Sequence, residues 1–291
     1  MTVKTKKISA LANAKINLEL DVLGKRPDGY HNISTIFQSV SLADIVEIEI
    51  NDTEGIFVKT EGAVIEGENL VKKAAELFLS KMGTTANINI TLKKQIPLSA
   101  GLAGGSADAA AVLLCLNTAF ENCLTTDELL DLALQLGADV PFCLFGGTYL
   151  AEGIGEKLTP LSYIGDYDVV LVKQHHKGST GQMYSRIDEL PISKLSKCDS
   201  ILNSINGNLQ NISPKLSYNS FLYASNDKAE QEKLCNIFLQ NGAFLAGLSG
   251  SGPTVFGLFK TLDKGFINYL EQNFNEVFVC KTKPEGIKIF E

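Results

Sequence analysis

The stretch Pro97 to Asn117, PLSAGLAGGSADAAAVLLCLN, sets Gly101, Gly104 and Gly105 among small residues and then runs into an Ala- and Leu-rich segment. Glycine at a helix start leaves backbone N–H groups bare. The positive end of the helix dipole adds to them, so the pattern suits an anion such as phosphate. A tight turn before a buried helix accounts for the same residues. The loop is not a Walker A loop, because Ser106 and Ala107 stand where lysine would follow the last glycine. Nor is it a dinucleotide fingerprint, which Gly101-Leu102-Ala103 breaks. What remains is Pro-x-x-x-Gly-Leu-x-Gly-Gly-Ser, whose backbone can cradle phosphates while Ser106 serves a phosphate oxygen or a bound Mg²⁺.

Other positions carry chemistry less specifically. Lys15 is either a solvated strand residue or a functional cation, and Asn17 lies two residues on, on the same strand face. Asp139, in GADVPFCLF, follows a helix amid apolar residues. It suits a turn or cap, or a partly desolvated carboxylate that works as a base. Asp28 to His31, DGYH, puts Tyr30 and His31 on a loop, as a surface turn or a ligand site. Leu248 to Thr254, LSGSGPT, is a second glycine loop, with Gly250, Ser251 and Gly252, that suits a tight turn or a close backbone approach.

The elements around these residues follow from periodicity. Even positions from Ile8 to Val22 are mostly apolar, while Lys15, Asn17, Glu19 and Asp21 occupy the other, non-core face of the same strand. GKRPDGYHN breaks that strand, and Ile45–Ile50 alternates again. Asn69–Gly83 reads as a helix, Asn87–Pro97 as a strand feeding the glycine loop, and about Ser106 to Asn117 as the helix it opens. Thr125–Gly137 is a further helix with Thr126 as its N-cap and Gly137 as its stop. Tyr167–Gln174 is a buried strand. Serine and asparagine turn signals dominate from about Ser193 to Ser225. Helix, strand, glycine loop, strand, helix and strand close the chain. A domain boundary is expected near Leu158–Ser162.

The 291 residues suit about two domains, and 45% hydrophobic with 20% charged residues is ordinary for a soluble globular protein. A net charge of −7 disfavours nucleic-acid and anionic-membrane binding, which call for a basic face. Six cysteines with no C-x-x-C pair read as reduced thiols of a cytosolic protein. Three histidines and no Cys/His cluster argue against a zinc site. Neither a signal peptide nor a membrane-spanning run is evident.

Four blocks occur in a familiar order: ANAKINLELDVLGKRPDGYHNISTIFQSVSLADIVEI, KKQIPLSAGLAGGSADAAAVLLCLN, LGADVPFCLFGGTYLAEGIGEKL and GLSGSGPTVFGLF. Together they resemble the 4-diphosphocytidyl-2-C-methyl-D-erythritol kinases, a branch of the GHMP superfamily that holds galactokinase, homoserine kinase and mevalonate kinase. The likeness covers the first 160 residues well and the last 50 fairly.

The resemblance implies a two-domain α+β architecture. An ATP-binding domain over residues 1–160 would have a left-handed-crossover-type β-α-β core. A C-terminal domain over 161–291 would be a ferredoxin-like α/β sandwich, with the cleft between the two. The implied reaction is phosphorylation by ATP, with Mg²⁺, of the 2-hydroxyl of 4-diphosphocytidyl-2-C-methyl-D-erythritol, a step towards isoprenoid precursors.

Carried over by motif, Asp139 takes the hydroxyl proton and Lys15 steadies the carboxylate, the hydroxyl and the transferring phosphoryl. Pro97, Leu98, Ser99, Ala100, Gly101, Leu102, Ala103, Gly104, Gly105, Ser106 and Ala107 wrap the ATP phosphates. Tyr30 and His31 hold cytosine, with Tyr184 on its other face, and Asn17 meets the methylerythritol end. Phosphoryl transfer needs this kind of positioning and charge compensation more than covalent chemistry.

No metal site of the protein's own is expected, and no nucleic-acid or membrane partner. The expected form is a monomer or weak homodimer in the bacterial cytoplasm; a plastid protein lacking its transit peptide has the same features. The alternatives are another GHMP kinase, acting on homoserine or mevalonate, and a catalytically silent nucleotide-binding protein. GKRPDGYH speaks against the first, and Lys15 with Asp139 against the second.

Three departures from the family pattern carry expectations. Ala103 replaces a glycine, so φ < 0 is expected there. Ser99 stands where glycine is common. YNSFLYASNDKAEQ replaces a helix-opening Asn-Asp segment, so a deletion or an irregular loop is expected.

Overall fold

The computed structural model describes residues 6–51, 55–64, 69–174, 180–190, 201–202, 204–205 and 215–290. Two long strands organise it. β1 (Lys6–Lys25) and β2 (His31–Asn51) form an antiparallel pair joined by the Arg26–Tyr30 turn. The period-two pattern of β1 runs the whole way. Register shifts at Asn13/Ala14 and Asn17/Glu19, however, bend the ribbon, so successive stretches face different cores. Ile8, Ala10 and Ala12 enter a first core, Ala14, Ile16 and Leu18 a second, and Leu20 and Val22 a third.

The other face of β1 is not solvated. Lys15, Asn17, Glu19 and Asp21 are all buried, which corrects the expectation of one core face and one polar, outward face. The rest of the molecule covers both sides of the strand where the catalytic candidates lie.

β2 is far longer than its alternating segment Ile45–Ile50 announces, because its partners change along its length. Ile45–Asn51 pairs with β4 (Asn87–Lys93), Ile33–Gln38 with β5 (Thr148–Gly153), and Ser39 and Val40 with β11 (Val277–Lys283). β3 (Gly55–Glu61) lies parallel to β4, and β6 (Lys157–Pro160) antiparallel to β5. The sheet continues from β11 through β7 (Asp168–Lys173), β10 (Thr254–Phe259) and β9 (Ala243–Leu248) to β8 (Lys215–Leu216). On its other side β12 (Ile287–Phe290) borders β1.

Helices cover the first core. α1 (Leu70–Met82) starts at Asn69, whose side chain accepts from the Val71 N–H, and stops at left-handed Gly83. α2 (Gly104–Ala119) is apolar almost all round and sits at the centre, with Ala107, Ala109–Leu113, Cys115 and Leu116 buried. α3 (Thr126–Leu136) is capped by Thr125 rather than Thr126. Thr125 and Glu128 form a reciprocal capping box, whose geometry fixes the start one residue earlier. α4 (Val140–Phe145) follows directly, with Asp139 at its N-cap position.

In the second half, α5 (Thr180–Glu189) carries Tyr184. The segment expected to be irregular opens a helix instead. Asn219 caps α6 (Ser220–Ala224) by accepting from the Phe221 N–H at 2.8 Å, and Phe221 and Leu222 are buried. α7 (Lys228–Gln240) and α8 (Lys264–Asn273) complete this half. Residues 193–200, where the serine-rich turns begin, lie outside the described residues, as do His175, His176 and Cys198. Cys115, Cys143, Cys235 and Cys280 are buried free thiols, and Cys123 is an exposed one. Among the described residues no helix is long and apolar enough to cross a membrane.

Candidate active site

A cavity of about 450 Å³ opens where β1, the glycine loop, α4 and the second glycine loop meet. Lys15, Asn17, Pro97, Leu98, Ser99, Ala100, Gly101, Leu102, Ala103, Gly104, Gly105, Ser106, Asp139, Tyr184, Gly250 and Ser251 line it. Ala107 lies beneath, fully buried in α2, and Gly252, Tyr30 and His31 are outside the lining.

Lys15 is held from several sides. Its backbone N–H donates to Leu102 O at 3.1 Å, which ties β1 to the glycine loop. Its Nζ donates to Asn17 Oδ1 at 2.7 Å, lies 3.8 Å from Asp139 Oδ2 and sits 4.9 Å from the centre of the Phe37 ring. The Asn17 amide is itself oriented. Its Nδ2 donates to Thr35 Oγ1 at 2.8 Å, and the Thr35 hydroxyl donates to Glu19 O at 2.6 Å. Asp139 makes no cap bond with its side chain and stays about one-third exposed, facing the cavity opposite the almost wholly buried Lys15.

The two glycine loops pack on each other. A Cβ at Gly101 would lie 2.3 Å from Ser249 O, and Gly101 has φ +77. Ser249 Oγ donates to Gly101 O at 2.9 Å, and Asn219 Nδ2 donates to Leu248 O and Gly250 O at 2.7 and 3.0 Å. The close backbone approach expected at the second loop is therefore an approach to the first.

Ala103 has φ +57 and Ser99 φ +52. The expectation of φ < 0 at Ala103 is overturned: the residue takes a left-handed turn directly before α2, whose first residues Gly104, Gly105 and Ser106 line the cavity. Its methyl group is accepted at a cost of roughly 1–2 kcal/mol. A Cβ at Gly105 would meet nothing nearer than 3.8 Å, so that backbone lies open.

Under the loop lies a buried cluster that the motifs did not announce. Lys94 Nζ donates to Asp44 Oδ2 and, at 2.7 Å, to Asp108 Oδ2. Asp44 Oδ1 also accepts from the backbone N–H groups of Gln95 and Ile96, which pins the strand end where the loop begins. Burial, and then the neighbouring Asp44, push the Asp108 carboxyl up to about 8 against the pull of Lys94, and its Oδ1 has no hydrogen-bond partner among the described residues. The signal was present in the alternation. Ile88, Ile90 and Leu92 face the core and Lys94 continues their face, while Asp108 interrupts a helix of alanines.

Tyr184 reaches the site from α5. Its ring stacks on His31 with centroids 4.5 Å apart and meets Phe221 edge-on at 4.9 Å. Burial, with the Asp139 charge second, pushes its phenol up to about 12. Tyr30 stands 61% exposed on the turn before His31. Asp188, also on α5, accepts from His31 Nε2 at 2.8 Å and was not foreseen.

The family models for the GHMP kinase N-terminal and C-terminal domains match residues 69–147 and 201–275. A 4-diphosphocytidyl-2-C-methyl-D-erythritol kinase from Thermoanaerobacter pseudethanolicus is 40% identical, over 98% of this chain and 100% of its own length. The chain belongs to the 4-diphosphocytidyl-2-C-methyl-D-erythritol kinase family. A crystal structure of such a kinase superposes with a TM-score of 0.79 at 31% identity, over 94% of this chain and 98% of the other. A homoserine kinase from Cytophaga hutchinsonii superposes at a TM-score of 0.70 with 18% identity, over 100% and 99% of the two chains, which shows a common fold. The family is thus of the two-domain α+β GHMP type, and its members are enzymes that take ATP as phosphoryl donor.

Proposed function

We propose that this chain transfers the terminal phosphoryl group of ATP to the 2-hydroxyl of 4-diphosphocytidyl-2-C-methyl-D-erythritol. The observation that carries the reading is the Lys15–Asp139 pair, 3.8 Å apart in a cavity walled by the glycine loop. Asp139 accepts the hydroxyl proton as the oxygen attacks the γ-phosphorus. The bond from that phosphorus to the bridging oxygen breaks, and ADP leaves. Lys15 offsets charge on the phosphoryl in flight and fixes the carboxylate. Asn17 and Thr35 set the direction of Lys15, and Asn17 meets the methylerythritol end.

Residues 97–106 wrap the phosphates through the open N-terminus of α2, and Gly250 and Ser251 close the wall opposite. Tyr30, His31 and Tyr184 hold the cytosine. Mg²⁺ would supply charge compensation to the phosphates. Among the described residues no group of three His, Cys, Asp or Glu is placed to hold a metal.

The same reading divides the chain into an ATP-binding part, residues 1–160, and a C-terminal part, 161–291. The matched family segments support it by falling on either side of that line. From its bacterial relatives we infer a cytoplasmic enzyme. It acts on a small molecule, without nucleic acid or membrane, as a monomer or weak homodimer.

The test supplies ATP, Mg²⁺ and one acceptor at a time. ADP release with the cytidine-linked acceptor, and none with homoserine or mevalonate, is the expected result. Release with homoserine or mevalonate alone moves the chain to another GHMP branch. Nucleotide binding without release on any acceptor makes it a silent binding protein.

A further inference from the structure

Helix α5 grips His31 at two places. The Tyr184 ring lies flat on the imidazole, 15° between planes, and one turn later Asp188 Oδ1 is 2.8 Å from His31 Nε2. The spacing of four residues puts both side chains on one helix face, so a single element holds the ring by its face and by its edge. The second oxygen of Asp188 lies 3.4 Å from Lys25 Nζ. His31 is buried, whereas Asp188 stays about one-third exposed.

The bond from His31, with the Lys25 charge behind it, holds the Asp188 carboxyl below the usual carboxylate range. An ionised carboxylate only accepts hydrogen bonds. The proton in the 2.8 Å bond therefore belongs to Nε2. A neutral imidazole with its proton on Nε2 has a lone pair, and no hydrogen, on Nδ1.

We propose that Asp188 is a positioning residue for base selection: it fixes His31 as the Nε2–H tautomer, so that Nδ1 accepts from the exocyclic amino group of cytosine. Uracil carries a carbonyl oxygen at that position. It would bring one acceptor against another and leave both unpaired, a mismatch that sites built to hydrogen-bond a substrate reject strongly. The inference rests on the reading that Tyr30, His31 and Tyr184 hold the base.

The experiment measures kcat/KM for the cytidine-linked acceptor and for its uridine counterpart, in the wild type, Asp188→Ala and His31→Ala. In parallel, ¹⁵N-histidine spectra of the full chain are recorded at mildly alkaline pH, where an imidazole is neutral. His31→Ala identifies the His31 signals among the three histidines.

The expected result is an Nε2–H tautomer in the wild type and a mixture in Asp188→Ala. The preference for cytidine over uridine should fall by about tenfold or more in Asp188→Ala. Simple loosening of α5 would weaken both acceptors alike and leave their ratio unchanged, so an unchanged ratio overturns the proposal. An Nδ1–H tautomer in the wild type overturns it without any variant. Loss of preference in His31→Ala but not in Asp188→Ala overturns the role of Asp188 alone. An unchanged KM and preference in His31→Ala overturns the base-binding reading, and the proposal with it.

Discussion

Lys15 gains its direction from neutral groups, and this makes its role testable apart from its charge. The chain of bonds from Lys15 Nζ to Asn17, Thr35 and Glu19 O has one polarity, because the amide oxygen faces the ammonium and the amide nitrogen faces the threonine. Thr35→Val removes the acceptor that holds the amide nitrogen. We expect kcat to fall on the order of tenfold with the KM for ATP little changed, as read in a steady-state assay. An equal rise in the KM for ATP would place the defect in the loop instead.

Asp108 yields a prediction of a different kind. Its carboxyl is raised from 3.8 to about 8 in the fold, so between those pH values the folded state holds a proton that the unfolded state has lost. This contribution to stability is whole below about pH 4 and fades as pH rises towards 8. Asp108→Asn keeps the shape and cannot ionise. The difference in Tm between the variant and the wild type should therefore move in the variant's favour across that window and level off above it. A difference that stays flat with pH would show that Asp108 ionises normally in the fold.

At the scale of elements, the decisive contact is between loops. Gly101 has no room for a methyl group, since Ser249 O would lie 2.3 Å from it and the backbone is left-handed. Gly101→Ala should destabilise the protein by about 2–4 kcal/mol, read from the urea midpoint, and raise the KM for ATP by parting the two loops. Neighbouring Ala103 shows the reverse case. Its sequence neighbours gave no reason to expect φ +57, but there the loop's path outweighs the preference of one small residue. Local signals settled the elements that are locally decided. Asn69 and Gly83 bound α1, and apolar alternation marks β1. The Thr125–Glu128 box was missed by one position, because two threonines stand side by side and only geometry chooses between them.

Across the whole molecule, the legible part was what repeats within a few residues, and the hidden part was what pairs across the chain. β2 runs through three sets of partners that its own residues do not name. β12 was missed because its four residues find their place only beside β1, almost the full chain away. The candidate site divides in the same way. The glycine loops, Lys15 and Asp139 stood out as types in motifs, and the fold brings them to one cavity. Lys94 and Asp188 did not stand out, since an ordinary lysine and aspartate gain meaning only from distant neighbours such as Asp44 and His31. Burial of both faces of β1 follows from the same cause, because the two halves close over the strand that supplies Lys15.

The proposed role of Asp139, which is to take the proton of the accepting hydroxyl beside Lys15, is open to direct test. The most direct measurement is ADP release with ATP, Mg²⁺ and 4-diphosphocytidyl-2-C-methyl-D-erythritol, for the wild type and Asp139→Asn, with calorimetry of both ligands. We expect turnover to fall by about 10²–10⁴-fold in the variant while ATP and acceptor still bind. Equal turnover in the two proteins would contradict it and remove Asp139 as the base.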